Sequence, residues 1–188
     1  MLDTTLAFLS DQLNGYLDSR YPSNERHVVL AGLCNLDGTV PGVIENKVVL
    51  SLVNIEREAA AGSSNAQPRL DNSSFARMSP ALNLNLYLLL SASFGNNYQE
   101  SLKLLSAVLG YFQSKPVFTA QSAPAFPRGL DRLTMEIVNL DIQSLNNLWG
   151  NIGGKYLPSV LYKARMFTLQ EGWILEQVPA ITGTDTQL

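Results

Sequence analysis

Three glycines and a lysine precede an apolar run in Gly150-Asn151-Ile152-Gly153-Gly154-Lys155, the make-up of a loop that cradles phosphate. A Walker loop reads G-x-x-x-x-G-K-[ST], because the chain must close round the phosphates and a hydroxyl must reach the magnesium. Here three residues separate Gly150 from Gly154, and Tyr156 follows Lys155. The order of elements also opposes the reading. Such a loop leaves a strand and opens a helix, whose N-terminal amides bind the anion, whereas this one leaves a helical stretch and opens a strand. The glycines therefore predict a helix stop and a tight entry into a strand.

Other reactive residue types are sparse. His27 is the only histidine and Cys34 the only cysteine, which excludes an internal disulfide, a multi-cysteine zinc site and a His-rich metal site. Nothing in the sequence brings His27 beside a nucleophile. No Asp-x-Asp, HExxH or GxSxG pattern occurs, and Glu56 with Glu58 reads as the solvated end of a strand. Lys163 and Arg165 share one strand face with Lys155 nearby, a solvated edge or a surface for an acidic partner.

Net charge is -3 with 13 scattered basic residues, which argues against nucleic acid as a partner. Charged residues are 15% of the chain, against about 25% in an ordinary globular protein. Covered surface explains such a shortage, since interface cores are poor in Lys, Glu and Asp. The longest apolar run, Leu86 to Leu90, is far short of the roughly 20 residues of a membrane span. The N-terminus lacks the basic start of a signal peptide, so assembly is expected in the cytoplasm, with no membrane insertion by this chain.

These residues must be positioned by elements that the periodicity predicts. Leu2, Leu6, Leu9, Leu13, Tyr16 and Leu17 recur at helical spacing and end before Pro22. A second long helix follows Asn96 or Asn97 as its cap, with Tyr98, Leu102, Leu105, Val108, Leu109 and Phe112 as its apolar stripe. A short helix carries Ile142, Leu145, Leu148 and Trp149 up to the glycine stop.

Strands are expected at 27–33, at 46–58, and over 81–93, where Leu82, Leu84, Leu86, Leu88 and Leu90 alternate with Asn83, Asn85, Tyr87 and Leu89. The leucine face is expected to pack on helices and the asparagine face to be wet. Further strands are expected over 116–119, 130–140 and 157–170, and a last one at 173–179 pairing back after the Glu171-Gly172 turn. Residues at about 57–80 turn small and polar and read as a long loop, and a polar tail begins at about 179. The order predicts an α+β fold, a single domain over 1–188 with a mainly antiparallel mixed sheet packed against the two long helices.

The segments "MLDTTLAFLSDQLNGYL", "NKVVLSLVNIERE", "LNLNLYLLLSASFGNNYQESLKLLSAVLGYFQSKPVFT" and "LTMEIVNLDIQSLNNLWGNIGGKYLPSVLYKARM", in that order, resemble the cap, or tail-terminator, proteins of extracellular contractile injection systems. These are phage-tail-like particles. The resemblance implies a structural protein without catalysis or cofactor: a ring, expected to be a homo-hexamer, that binds inner tube and sheath protein and ends both at the end distal to the baseplate. It leaves open whether the particle is released or membrane-anchored. Rival readings are a tube or baseplate adaptor of the same particle, and a small-ligand enzyme using Lys155 and His27. Interface residues are expected in the long loop at Arg69, Phe75 and Arg77, in the turn at Trp149, Lys155 and Tyr156, and on the basic strand face at Lys163 and Arg165.

Overall fold

A computed structural model describes the backbone of residues 1–58, 69–71, 74–78, 83–168 and 174–179, and the side chains of 1–58 and 83–166. In chain order it gives α1 (Leu2–Arg20), β1 (Val28–Leu30), a 3-10 turn (Gly42–Ile44), β2 (Lys47–Arg57), β3 (Arg69–Asp71), β4 (Ser74–Met78), β5 (Leu84–Ser93), α2 (Tyr98–Ser114), β6 (Val117–Phe118), β7 (Leu130–Val138), α3 (Ile142–Ile152), β8 (Ser159–Thr168) and β9 (Ile174–Pro179). The main sheet runs β1-β2-β5-β8-β7-β6, antiparallel throughout except that β1 lies parallel to β2. The α+β class and mixed sheet expected from the sequence are present.

Both long helices cover one face of this sheet. Leu9, Leu13 and Leu17 of α1 and Leu104, Val108 and Phe112 of α2 bury against Leu86, Leu88 and Leu90 of β5, with Val48 and Leu50 beside them. The stripe of α2 differs from the expected one: Leu104 and Tyr111 are buried, while Tyr98 and Leu102 are exposed. The stripe is turned because Tyr111 packs between Tyr16 of α1 and Phe112, an aromatic cluster that the helix alone does not specify. Burial of their rings holds the Tyr111 and Tyr162 hydroxyls up at about 12.

The opposite face is not simply wet. Val49, Leu89 and Leu161 are buried beneath Trp149 of α3, forming a second, smaller core. Asn85 is buried too, so of the alternate face only Asn83 and Tyr87 keep partial exposure. Leu89 belongs to this face by strand alternation, and α3 supplies the cover.

Two further expectations change. The stretch read as a loop holds β3 and β4, and β4 pairs antiparallel with β9 in a separate sheet of order β3-β4-β9. The last strand does not fold back on β8, because β8 is already bonded on both sides, by β5 and β7. The rest of the expected loop, and the tail beyond Pro179, lie outside the described residues.

Candidate functional site

The glycine segment ends a helix. Gly150, Asn151 and Ile152 are the last residues of α3, and Gly153 caps it at φ 74°, its N–H donating to the Trp149 carbonyl at 3.2 Å. That left-handed geometry suits glycine alone among common residues at no steric cost. At the other end Asp141 accepts from the Ser144 amide at 2.6 Å, which holds its carboxyl below its ordinary value. With amides pointing away from Lys155, the segment presents no anion site.

Between its caps α3 lies across the strands. Leu145, near its start, lines a cavity of about 210 Å³ with Leu89, Val138 and Leu161, whereas Leu148 and Ile152 line one of about 350 Å³ with Leu33, Leu52 and Val53. The helix thus runs from the β7 side to the β1–β2 side. Trp149 anchors it, 5% exposed, with Tyr156 edge-on at 5.5 Å between ring centroids.

Beyond α3 the same sheet face is polar. Register places Tyr87, Lys163 and Glu136 in one row, and Glu56, Asn85, Arg165 and Thr134 in the next. Arg165 pairs with Glu136 at 3.1 Å and approaches Glu58 at 3.9 Å. Tyr87 donates its hydroxyl to Glu56 at 2.9 Å, and that bond, with burial, raises its pKa. The face expected to be basic is therefore of mixed sign. The sequence showed only one of its strands, and the carboxylates come from β2 and β7. Two buried polar atoms here, Asn85 Oδ1 and Arg165 Nε, have no hydrogen-bond partner among the described residues.

The expected interface residues fall into three groups. Lys155 and Tyr156 are exposed on the α3–β8 connection, while Trp149 is buried and supports Tyr156 rather than facing outward. Lys163 and Arg165 lie half-buried on the mixed-charge face. Arg69 is in β3, and Phe75 and Arg77 are in β4, whose side chains lie outside the described set. His27 is bonded through Nε2 to the Tyr21 carbonyl at 2.7 Å and stands 3.4 Å from Asp18, tying β1 to the end of α1. No hydrogen bond or ion pair joins it to Lys155 among the described residues. Among those residues no group of three His, Cys, Asp or Glu stands where it could hold a metal ion, and no helix is long and apolar enough to cross a membrane.

In sequence, residues 4–182 match the Pvc16 N-terminal domain. The chain belongs to the Pvc16 N-terminal domain family. No curated protein matches it in sequence. Among solved structures, this Pvc16 N-terminal domain is similar over 100% of its length to the PVC sheath/tube terminator of an extracellular contractile injection system in its extended state, with TM-score 0.62 and 18% identity. It is similar over 97% of its length to the tube-terminating cap of the anti-feeding prophage, with TM-score 0.57 and 13% identity. The chain spans 64% and 59% of the lengths of those two chains. At such identities the likeness is one of fold.

Proposed function

We propose that this chain is a structural cap subunit of a contractile injection system, forming a ring that ends the inner tube and the contractile sheath at the end distal to the baseplate. The observation that carries the reading is the fold likeness along the whole described chain to two terminators, joined to a family match over residues 4–182. The partners are other copies of the chain, expected as a homo-hexamer, together with tube and sheath protein. The role is not enzymatic. Its contact surface includes Lys155 and Tyr156 beside α3, the mixed-charge face of Lys163 and Arg165, and the β3–β4 segment with Arg69, Phe75 and Arg77.

Electron cryo-microscopy of particles assembled with and without the chain tests this. With it, density for the chain is expected at the baseplate-distal end and tube lengths are uniform. Without it, tubes of scattered length and poorly attached sheaths are expected. Density at the baseplate instead would replace the reading with an adaptor, and unaltered particles in its absence would sink both.

A further inference from the structure

The three helices are held to the main sheet very unequally. Eight residues of α1 and seven of α2 are buried, whereas of the 11 residues of α3 only Trp149 is. Leu145, Leu148 and Ile152 reach the second core only half-buried. No side chain of α3 hydrogen-bonds or ion-pairs with the sheet among the described residues, and the buried Trp149 indole N–H has no partner there. Both caps are internal, Asp141 to the Ser144 amide and Gly153 to the Trp149 carbonyl, so neither ties the helix down. A long contact from the Cys34 thiol to the Gly153 carbonyl, at 3.9 Å, is the polar link at its end.

Space separates the helix from the strands on either side of its anchor. About 350 Å³ lies at Leu148 and Ile152, with Ser51 and Asn151 among its walls. About 210 Å³ lies at Leu145, with Asn139 and Ser159 among its walls. Apolar atoms facing such gaps lose the dispersion contacts of tight packing, and walls with polar groups admit water.

We infer that α3 is a latch: it lifts from the sheet in an opening far less costly than unfolding, with Trp149 as the pin that seats it. Elements with few buried apolar contacts open before the core does. Opening uncovers Leu89 and Leu161, and it leaves the larger core under α1 and α2 closed, because no residue of α3 belongs to that core. Lys155 and Tyr156 follow the helix directly, and Tyr156 stands edge-on to Trp149. A partner that binds Tyr156 in this position therefore favours the seated helix. The opening stands without the proposed function, and only its coupling to assembly through Tyr156 rests on that reading.

Hydrogen exchange read by mass spectrometry on the full chain tests this. A lifted helix of 11 residues is marginal in water, so opening exposes its amides. Peptides covering 145–153 are expected to exchange at least about 100-fold faster than those covering 102–114 and 84–93, through an opening that low denaturant barely changes. Trp149→Ala should abolish the protection of α3. It should accelerate exchange in α2 and β5 by no more than the factor by which α3 was protected in wild type, since beyond that point the open form is itself the ground state. Protection of α3 equal to that of α2 and β5, or a larger loss of core protection in Trp149→Ala, overturns the latch. In particles assembled with tube and sheath, the protection of α3 is expected to rise at least about tenfold. No rise in particles that do contain the chain overturns the coupling, whereas absence of the chain from the particle overturns the coupling together with the reading of the function and leaves the opening standing.

Discussion

Gly153 and Asp141 bracket α3, and each acts through one backbone amide. At φ 74° an alanine would carry the left-handed penalty, so Gly153→Ala is expected to cost roughly 1 kcal/mol and lower the melting temperature by about 2–4 °C. Gly154→Ala is the internal control. A Cβ there meets Ile152 Cγ2 at 3.7 Å, an ordinary contact, and should leave melting unchanged. Asp141 accepts the Ser144 amide in the folded state, which lowers its pKa below 3.8. The sign follows: its contribution is full above the unfolded value and is lost as pH falls through the lower folded one. In a Trp173→Phe background, Trp149 emission should therefore begin to change below about pH 3.8, and Asp141→Asn should flatten that change. The glycine stop was legible in the sequence, because glycine spacing and the residue after the lysine are local. The burial of Trp149 was not, since it depends on Leu89 and Leu161 from two other strands.

The elements with a periodic signal, β9 among them, lie where the sequence predicts them, whereas the partners and cover they meet do not follow from that signal. The alternation of β5 identifies a strand, yet the cover on each face comes from α1, α2 and α3. β3 and β4 are short, and β4 finds its partner in β9, about a hundred residues away in the chain. The edge of β1 shows the same dependence. Asn14 of α1 donates Nδ2 to the Val28 carbonyl and accepts the Val28 amide at Oδ1, both at 2.9 Å, standing in for a neighbouring strand. Nothing in the helix periodicity marks Asn14 for this. Asn14→Ala would leave the Val28 amide buried without its partner and the Val28 carbonyl with only the long contact from the Ser10 hydroxyl at 3.5 Å, so a loss of about 1–3 kcal/mol in denaturant unfolding is expected. Asn14→Leu should do no better. A variant of full stability would show that water or another side chain takes over the edge.

At the scale of the whole molecule, one face of the sheet is sealed by two helices, and the other, among the described residues, is sealed where α3 and the β1–β2 connection, through Leu33 and Ile44, pack on it. The remainder of that face is a field of mixed charge in which Arg165 is neutralised by Glu136 and Glu58 within the chain. A composition poor in charge fits this arrangement, because some of the charge that exists is spent on internal pairs. The expectation of assembly came from whole-chain resemblance and from the low charge content, since no single segment's pattern encodes what a neighbouring copy would cover. If the exposed end of the α3–β8 connection meets a tube or sheath subunit, Lys155→Glu with Tyr156→Ala should leave thermal unfolding within about 0.5 kcal/mol of wild type, as expected for surface positions. The same pair should reduce the fraction of particles bearing a cap, counted in micrographs at matched expression. Arg165→Ala belongs to a different class. It removes the cation that Glu136 and Glu58 share within the chain, so it should lower stability as well as capping. Capping lost through Arg165 alone at unchanged stability would mean that the mixed-charge face, rather than the α3–β8 connection, carries the contact.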